Sequence, residues 1–368
     1  MRLLVYISGH GFGHAARSAE LINAIARHVP RLEIVLRTTV PEWFLRASLA
    51  VEARILGGDT DTGVVQQDSF SIDEDESARR AAAFYCDFDA RVEREAALIR
   101  DVKPALVVAD IPPVAFPAAA AAGVPSVACS NFTWDWIYSG FPGFDAIAPG
   151  VRALIARANA QATRALRLPF AGGFAGMPAI EDVPLVARRA RIARAETRAR
   201  LGLPSDRVVV LATFGGHAGN VNLASAAADG SFLVVATDYE VGDARAAHPN
   251  LRVVPGHALR DAGTSYTDLL GAADVVVTKL GYGIVSECLA NEVALLYATR
   301  GRFIEQDVFI REMPAVMRCR AIGVSDLRAG RWAPAVHALL AQPRRAPAMR
   351  LDGADAVAVR LLDLARLS

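Results

Sequence analysis

Short apolar runs alternate with longer alanine-rich stretches along the whole chain. In the first half, four runs have the length and β-branched content of buried strands, and four longer stretches have helical character. The strands are predicted at residues 3–7, 33–37, 105–109 and 126–129, and the helices at 15–28, 77–101, 113–122 and 153–166. Alternating strands and helices favour βαβ units, which place the carboxyl ends of parallel strands at one sheet edge.

The second half repeats this rhythm. Its strands are predicted at residues 207–213, 232–236, 251–254, 274–278 and 294–297. The pattern indicates two similar α/β domains. We place a Rossmann-like first domain at residues 1–170 and a Rossmann-like second domain at 171–345. A terminal helix at 346–368 is expected to pack back on the first domain.

Two segments interrupt the alternation. Residues 57–76 hold five aspartates and few large apolar side chains, which is typical of a mobile surface loop that acts as a lid near a cleft. Residues 188–200 hold six arginines. The pattern favours a solvated linker helix, with a membrane-surface patch as the alternative.

Composition limits the classes of partner. Of 368 residues, 53% are hydrophobic and 21% are charged, and the formal net charge is +1. A neutral chain has no global field that attracts nucleic acid, so no nucleic-acid partner is expected. The four cysteines form no CxxC pair, which indicates reduced thiols in a cytoplasmic protein.

The first predicted strand leads directly into a glycine-rich loop and a helix. Gly11 and Gly13 allow a close backbone approach to an anion at the helix N-terminus. His10 and His14 flank the loop, where a histidine can act as a general base. Their alternative roles are helix capping and backbone hydrogen bonding. Without a third ligand nearby, a zinc site is not predicted.

Gly11, Gly13 and Ala16 also fit the Gly-x-Gly-x-x-Ala form of the dinucleotide-binding fingerprint. That fingerprint expects an acidic residue at the end of the second strand, where this chain has Arg37 followed by threonines. An NADP-dependent oxidoreductase is therefore kept as an alternative.

Polar and glycine residues follow three strands of the second half. Gly215, Gly216 and His217 follow the strand at 207–213. The next cluster, which suits a diphosphate and a ribose, comprises Lys279, Gly281, Gly283, Ser286 and Glu287. Glu287 could instead be a favourable charge near a helix N-terminus. Glu305 and Gln306 come last and can bond sugar hydroxyls, or simply begin a helix.

Together these motifs resemble the GT-B glycosyltransferases, in particular the family of the peptidoglycan N-acetylglucosaminyltransferase. That resemblance implies an α/β GT-B fold, with two Rossmann-like domains whose parallel sheets face a central cleft. Residues 107–127, 131–141 and 177–190 further resemble the glycosyltransferase-like N-terminal region of plant L-arabinokinases. The phosphate loop of the kinase half of those proteins is not found, so kinase activity is not expected.

The resemblance implies roles for the residues named above. His14 would be the catalytic base, and Asp110 would orient it or bind the acceptor. The nucleotide-sugar donor would be held by Gly11, Gly13, Gly215, Gly216, His217, Lys279, Gly281, Gly283, Ser286, Glu287, Glu305 and Gln306. The acceptor would be held by His10, Asn131, Trp134 and Asp135, with helix core as the alternative for Trp134.

The reaction implied is the transfer of a sugar from a nucleotide sugar, with UDP the expected nucleotide, to an acceptor hydroxyl. No metal and no cofactor are expected, because GT-B enzymes stabilise the departing diphosphate with helix dipoles and basic side chains. The acceptor is a small molecule or a lipid-linked one, and peripheral membrane contact stays open. A nucleotide-sugar hydrolase and a non-catalytic nucleotide-sugar binding module are the alternatives.

Overall fold

The computed structural model describes residues 1–29, 31–215, 220–238, 248–344 and 349–366. Its first sheet has the strand order β3-β2-β1-β6-β7-β8-β9, and every pair in it is parallel. These strands are β1 (Arg2–Ile7), β2 (Glu33–Thr38), β3 (Ala53–Gly57), β6 (Leu106–Asp110), β7 (Ser126–Phe132), β8 (Arg164–Gly172) and β9 (Ile180–Asp182). A separate antiparallel hairpin joins β4 (Val65–Asp68) to β5 (Ser71–Asp73).

The second sheet is also parallel and has the order β12-β11-β10-β13-β14-β15. Its strands are β10 (Val208–Ala212), β11 (Phe232–Thr237), β12 (Leu251–Val254), β13 (Val275–Lys279), β14 (Ala294–Ala298) and β15 (Cys319–Ala321). Two parallel sheets, one from each half of the chain, confirm the predicted α/β class.

Helices of the first half cover both faces of its sheet. They are α1 (Phe12–His28), α2 (Glu42–Ser48), α3 (Glu74–Tyr85), α4 (Phe88–Val102), α5 (Ala115–Ala121), α6 (Trp134–Ser139), α7 (Phe144–Ile147) and α8 (Val151–Asn159). The later helices are α9 (Arg194–Arg200), α10 (Leu223–Ala228), α11 (Gly256–Asp261), α12 (Tyr266–Ala272), α13 (Tyr282–Ala290), α14 (Glu305–Val316), α15 (Val324–Arg328), α16 (Ala333–Leu340) and α17 (Gly353–Arg366).

The central strands are buried along their whole length because both of their faces are covered, and most of their residues are apolar. Every residue of β6, β7, β11 and β14 is buried. This burial explains why the apolar runs located these strands well from sequence.

The chain returns to its first half at the end. Helix α17 packs against α1 with Val357 and Leu361 buried in a shared core. Arg27 pairs with Asp355 at 2.6 Å on the rim of this contact. The last helix therefore lies against α1 of the first half.

Three details differ from the predictions. The helix expected at 153–166 ends at Asn159, and β8 begins at Arg164. The stretch 77–101 forms two helices rather than one. The first sheet continues through β9, past the boundary expected at residues 170 and 171. Among the helices described, none combines the length and apolar character needed to cross a membrane.

Candidate active site

Two glycine loops, one from each half, face each other. Gly13 lies in the first turn of α1, and Gly283 lies in the first turn of α13. A β-carbon added at Gly283 would lie 3.3 Å from the Cα atom of Gly13, which is tighter than most side-chain contacts. The carboxyl edges of the two sheets, where β1 and β13 end, therefore meet across a narrow cleft.

Both helices that begin at this cleft lack a capping side chain. Gly11 precedes α1 with a φ of 73°, a left-handed conformation that favours glycine. Gly281 precedes α13 in an extended conformation. The first N–H groups of a helix attract anions, so both helix ends suit a phosphate group.

His14 and Asp110 form a buried pair just behind the Gly13 loop. His14 Nδ1 lies 2.9 Å from Asp110 Oδ1, and the two side chains are 6% and 4% exposed. Burial raises the pKa of Asp110, but the charges of Arg17 and His14 outweigh burial and hold that pKa well below its usual range. An ionised carboxylate only accepts hydrogen bonds, so a hydrogen bond from His14 to Asp110 requires the proton on His14 Nδ1. Nη2 of Arg17 also lies 3.0 Å from this Nδ1 atom. In the tautomer that donates to Asp110, the other ring nitrogen, Nε2, is the one that can accept a proton.

Arg17 connects this pair to the second half of the chain. Its guanidinium donates to both oxygens of Asp110, to Ser130 Oγ and to Asn131 Oδ1. Its Cζ atom also lies 4.7 Å from the centre of the Tyr282 ring in α13. Asn131 Nδ2 in turn donates to Glu305 Oε1 at 2.8 Å. A continuous hydrogen-bond network thus bridges the cleft.

The ionised Asp110 should make stability depend on pH. Its pKa is lower in the folded protein than the unfolded value of about 3.9, so its contribution is complete above that value and is lost as the pH falls toward the folded pKa. We expect the free energy of unfolding of the wild type to fall between about pH 5 and pH 2 more steeply than that of Asp110→Asn. Urea unfolding across this pH range measures both slopes, and equal slopes would show that Asp110 is not held ionised.

The residues predicted to bind an acceptor lie in the first half, but most bond to other protein groups. Trp134 is fully buried, and its Nε1 donates to Asp61 Oδ2 at 3.0 Å. Its ring packs edge-on against His10 at 5.5 Å between centroids. Asp135 accepts from Asn159 Nδ2 at 3.1 Å, and burial raises the pKa of Asp135. Trp134 therefore belongs to the core here, and the acceptor roles stay predictions.

On the donor side, Lys279 and Gly215 lie next to each other. A β-carbon on Gly215, whose φ is 77°, would lie 3.5 Å from Lys279 Cε. Ser286 Oγ donates to the carbonyl of Gly283 at 2.9 Å. Glu287 pairs with Arg188 of the predicted linker at 2.5 Å. Gly216 and His217 lie outside the described residues, so their roles stay predictions.

Glu305 and Gln306 are both buried at the start of α14. Gln306 Oε1 accepts from the N–H of Arg300 at 2.6 Å, and its Nε2 donates to the carbonyl of Arg300 at 2.8 Å. The Gln306 side chain therefore stabilises the loop that precedes α14, and Glu305 accepts a hydrogen bond from Asn131. Their predicted contacts with a sugar stay predictions.

The acid-rich segment, residues 59–73, lies across the mouth of the cleft, and we call it the cleft segment. Phe70 packs on Phe214, immediately before the glycine loop of the second half, with ring centroids 5.9 Å apart. Gln66 accepts a hydrogen bond from Lys279 Nζ at 3.0 Å. Asp68 pairs with Arg328. A hairpin of the first half thus covers part of the predicted diphosphate site.

Sequence reasoning missed two charged residues of this site. Arg17 holds Asp110, but in the sequence it is one of many helical arginines. Asp61 contacts Trp134 and Ser8, and burial raises the pKa of Asp61 despite the nearby charge of His14. The acidic composition of residues 57–76 indicated a segment near the cleft, but no sequence feature distinguished Asp61 from the other aspartates there. Among the described residues, no cluster of three or more histidine, cysteine or acidic side chains could hold a metal ion.

Each half of the chain has a parallel sheet flanked by helices, and the carboxyl edges of the two sheets face each other. At this cleft, helices α1 and α13 each begin after a glycine. This arrangement is the GT-B fold of glycosyltransferases. No protein-family model matches the sequence. The chain is 31% identical over 341 residues to the L-arabinokinase of Arabidopsis thaliana, which confirms the predicted resemblance. The match covers 89% of this chain but 31% of that protein, so this chain spans about a third of the length of the relative.

Solved structures agree on the fold. The glycosyltransferase VinC in complex with dTDP is 18% identical, with a TM-score of 0.61 over 100% of this chain and 95% of that one. UGT89C1 of Arabidopsis thaliana complexed with UDP is 15% identical, with a TM-score of 0.59 over 98% and 94%. The UDP-GlcNAc 2-epimerase of Methanocaldococcus jannaschii is 12% identical, with a TM-score of 0.55 over 99% of both chains. The same fold therefore also serves an enzyme named as an epimerase.

Proposed function

We propose that this protein transfers a sugar from a nucleotide sugar, with UDP as the nucleotide, to an acceptor hydroxyl. The observation that carries the proposal is the apposition of Gly13 and Gly283, with the His14–Asp110 pair directly behind it. Two uncapped helix N-termini there suit a diphosphate, and an imidazole hydrogen-bonded to a carboxylate suits proton removal.

In the proposed reaction, the acceptor oxygen attacks the anomeric carbon of the sugar. The bond between that carbon and the diphosphate breaks, and its electron pair leaves with the nucleotide. His14 Nε2 takes the acceptor proton, and Asp110 stabilises the imidazolium that forms. Helix N–H groups and Lys279 would balance the charge that develops on the leaving diphosphate.

A nucleotide-sugar hydrolase is the second candidate, and one observation favours it. Trp134 is fully buried, and Asp135 is bonded to Asn159, so two of the predicted acceptor groups are already engaged. A site with few free acceptor contacts suits a small nucleophile such as water. In this reaction His14 would deprotonate water instead of an acceptor hydroxyl.

Product analysis separates the two reactions. The protein is incubated with single UDP-sugars in ¹⁸O-labelled water, with and without a panel of sugar and polyol acceptors. Transfer predicts UDP release that depends on an acceptor and a glycoside without label. Hydrolysis predicts free sugar that carries the label. If UDP-sugars neither bind nor turn over, the proposed function is wrong.

The cleft segment should oppose nucleotide binding. Gln66 of this segment accepts a hydrogen bond from Lys279, and Phe70 of the same segment packs on Phe214. A nucleotide that binds at Lys279 must displace these contacts. Phe70→Ala removes the anchor and should raise UDP affinity by roughly threefold to tenfold, because more of the protein is then open to the ligand. Calorimetry measures the affinity, and limited proteolysis should show faster cleavage within the segment.

Phe232→Ala is the matched control, since Phe232 is equally buried but begins strand β11, away from the cleft segment. It should lower the melting temperature without changing UDP affinity. Unchanged or weaker UDP binding by Phe70→Ala would mean that the segment supports the ligand rather than blocks it.

A further inference from the structure

Arg300 is a buried cation with no counter-ion among the residues that the structure describes. It is 7% exposed and follows strand β14 at the cleft edge of the second sheet. Within the described part of the chain its guanidinium forms no salt bridge and no hydrogen bond, and its Nε atom is buried without a partner. Its Cζ atom lies over the face of the Phe303 ring, 4.2 Å from the ring centre.

Arg17 and Arg198 are as deeply buried as Arg300, and both are paired. Arg17 binds Asp110, and Arg198 binds Asp274 at 2.8 Å. Burial lowers the pKa of Arg300, and only the charge of Glu305 opposes that effect. The Glu305 carboxylate lies beyond salt-bridge distance, and its Oε1 already accepts a hydrogen bond from Asn131. A buried, unpaired guanidinium is unfavourable unless an anion arrives to pair with it.

The backbone of Arg300 is held in place by hydrogen bonds. Gln306 bonds both the N–H and the carbonyl of Arg300, at 2.6 and 2.8 Å. Gly301, the next residue, lies against Ile72 of the cleft segment. Arg300 therefore lies on a hydrogen-bonded loop between the cleft segment and Glu305, the predicted sugar-binding residue. A residue on such an ordered loop suits a specific contact with a ligand.

The position of Arg300 indicates which part of a donor it would meet. The groups that suit the diphosphate follow strands β10 and β13, where Gly215 and Lys279 stand. Arg300 follows the next strand outward, β14, and comes five residues before Glu305 in the sequence. An anion at Arg300 therefore belongs to the sugar rather than to the diphosphate.

We propose that Arg300 binds a carboxylate on the donor sugar, so that the preferred donor is a nucleotide-activated uronic acid. This inference rests on the proposed use of a nucleotide sugar and names its chemical class. A planar guanidinium can bind a carboxylate through two parallel hydrogen bonds, which gives both affinity and orientation.

Calorimetry with matched ligands tests this. The wild type should bind UDP-glucuronic acid or UDP-galacturonic acid roughly tenfold to a hundredfold more tightly than UDP-glucose or UDP-galactose. Arg300→Met should remove the difference and leave UDP affinity unchanged, and Arg300→Lys should restore part of it. Arg302→Met, at an exposed position two residues away, should behave as the wild type.

Stability gives an independent readout. Because Arg300 forms no ion pair with any described residue, Arg300→Met should melt at the same temperature as the wild type or higher. A large fall in melting temperature would show that Arg300 is structural and overturn the proposal.

Two binding outcomes would also overturn it. If acidic and neutral sugars bind equally, or if Arg300→Met weakens UDP itself as much as the UDP-sugars, Arg300 does not read a sugar carboxylate. Either result leaves the nucleotide-sugar function intact. If the wild type binds no UDP at all, both this inference and the proposed function are wrong.

Discussion

Replacing His14 with alanine is expected to lower kcat by about 10²- to 10⁴-fold, which is the usual contribution of a general base. UDP affinity should change by less than about twofold, because the imidazole lies on the acceptor side of the cleft and not among the diphosphate groups. The fold should survive, since Asp110 keeps both of its hydrogen bonds from Arg17 after the imidazole is removed.

His28→Ala is the matched control for this variant. His28 lies at the opposite end of the same helix and is largely exposed. It should retain wild-type kcat and wild-type UDP affinity. A His14→Ala enzyme that turns over at the wild-type rate would remove His14 from the chemistry. A variant that loses UDP binding and turnover together would assign His14 to the donor instead.

Replacing Asp110 with asparagine is expected to lower the free energy of unfolding by about 3–5 kcal/mol, the usual cost of leaving one partner of a buried ion pair uncompensated. Arg17 would stay buried without its carboxylate, and Asn131 and Ser130 offer it only neutral acceptors. Kcat should fall as well, because a neutral amide does not stabilise an imidazolium at His14. Urea unfolding measures the stability.

Asp182→Asn provides the comparison for Asp110→Asn. Asp182 pairs with Arg167 at 2.6 Å on the surface, with its side chain 72% exposed. Such a pair contributes less than about 1 kcal/mol, so this variant should unfold almost as the wild type does. Similar losses for the two variants would mean that the Asp110 ion pair is not a buried structural pair.

The strands that the sequence predicted well are those buried on both faces. Residues 3–7, 105–109 and 274–278 are apolar runs that match β1, β6 and β13 to within about two residues. The start of β8, residues 164–166, was predicted as helix, and the rest of this strand was not predicted, because it follows an alanine-rich helix and carries Arg164 and Arg167. Half-exposed strands have no continuous apolar run, so pattern alone does not locate them.

The sequence prediction also missed the roles of several arginines, because their partners lie far away in the sequence. The arginine-rich segment forms a helix only at Arg194–Arg200, and the prediction of a solvated linker is wrong for Arg188 and Arg198. Arg188 pairs with Glu287, and Arg198 pairs with Asp274. No local spacing indicates these pairs. The same holds for Arg17 and Arg300, whose importance depends on partners, or their absence, in the folded chain.

The central claim is that the N-terminus of α13, together with Gly215 and Lys279, holds a nucleotide diphosphate below His14. A crystal structure of the protein grown with UDP tests it most directly. We predict the diphosphate at the N-terminus of α13, beside Gly215 and Lys279, with Gln66 displaced from the lysine. Nucleotide density elsewhere on the protein, with the contact between Gln66 and Lys279 intact, would contradict the account.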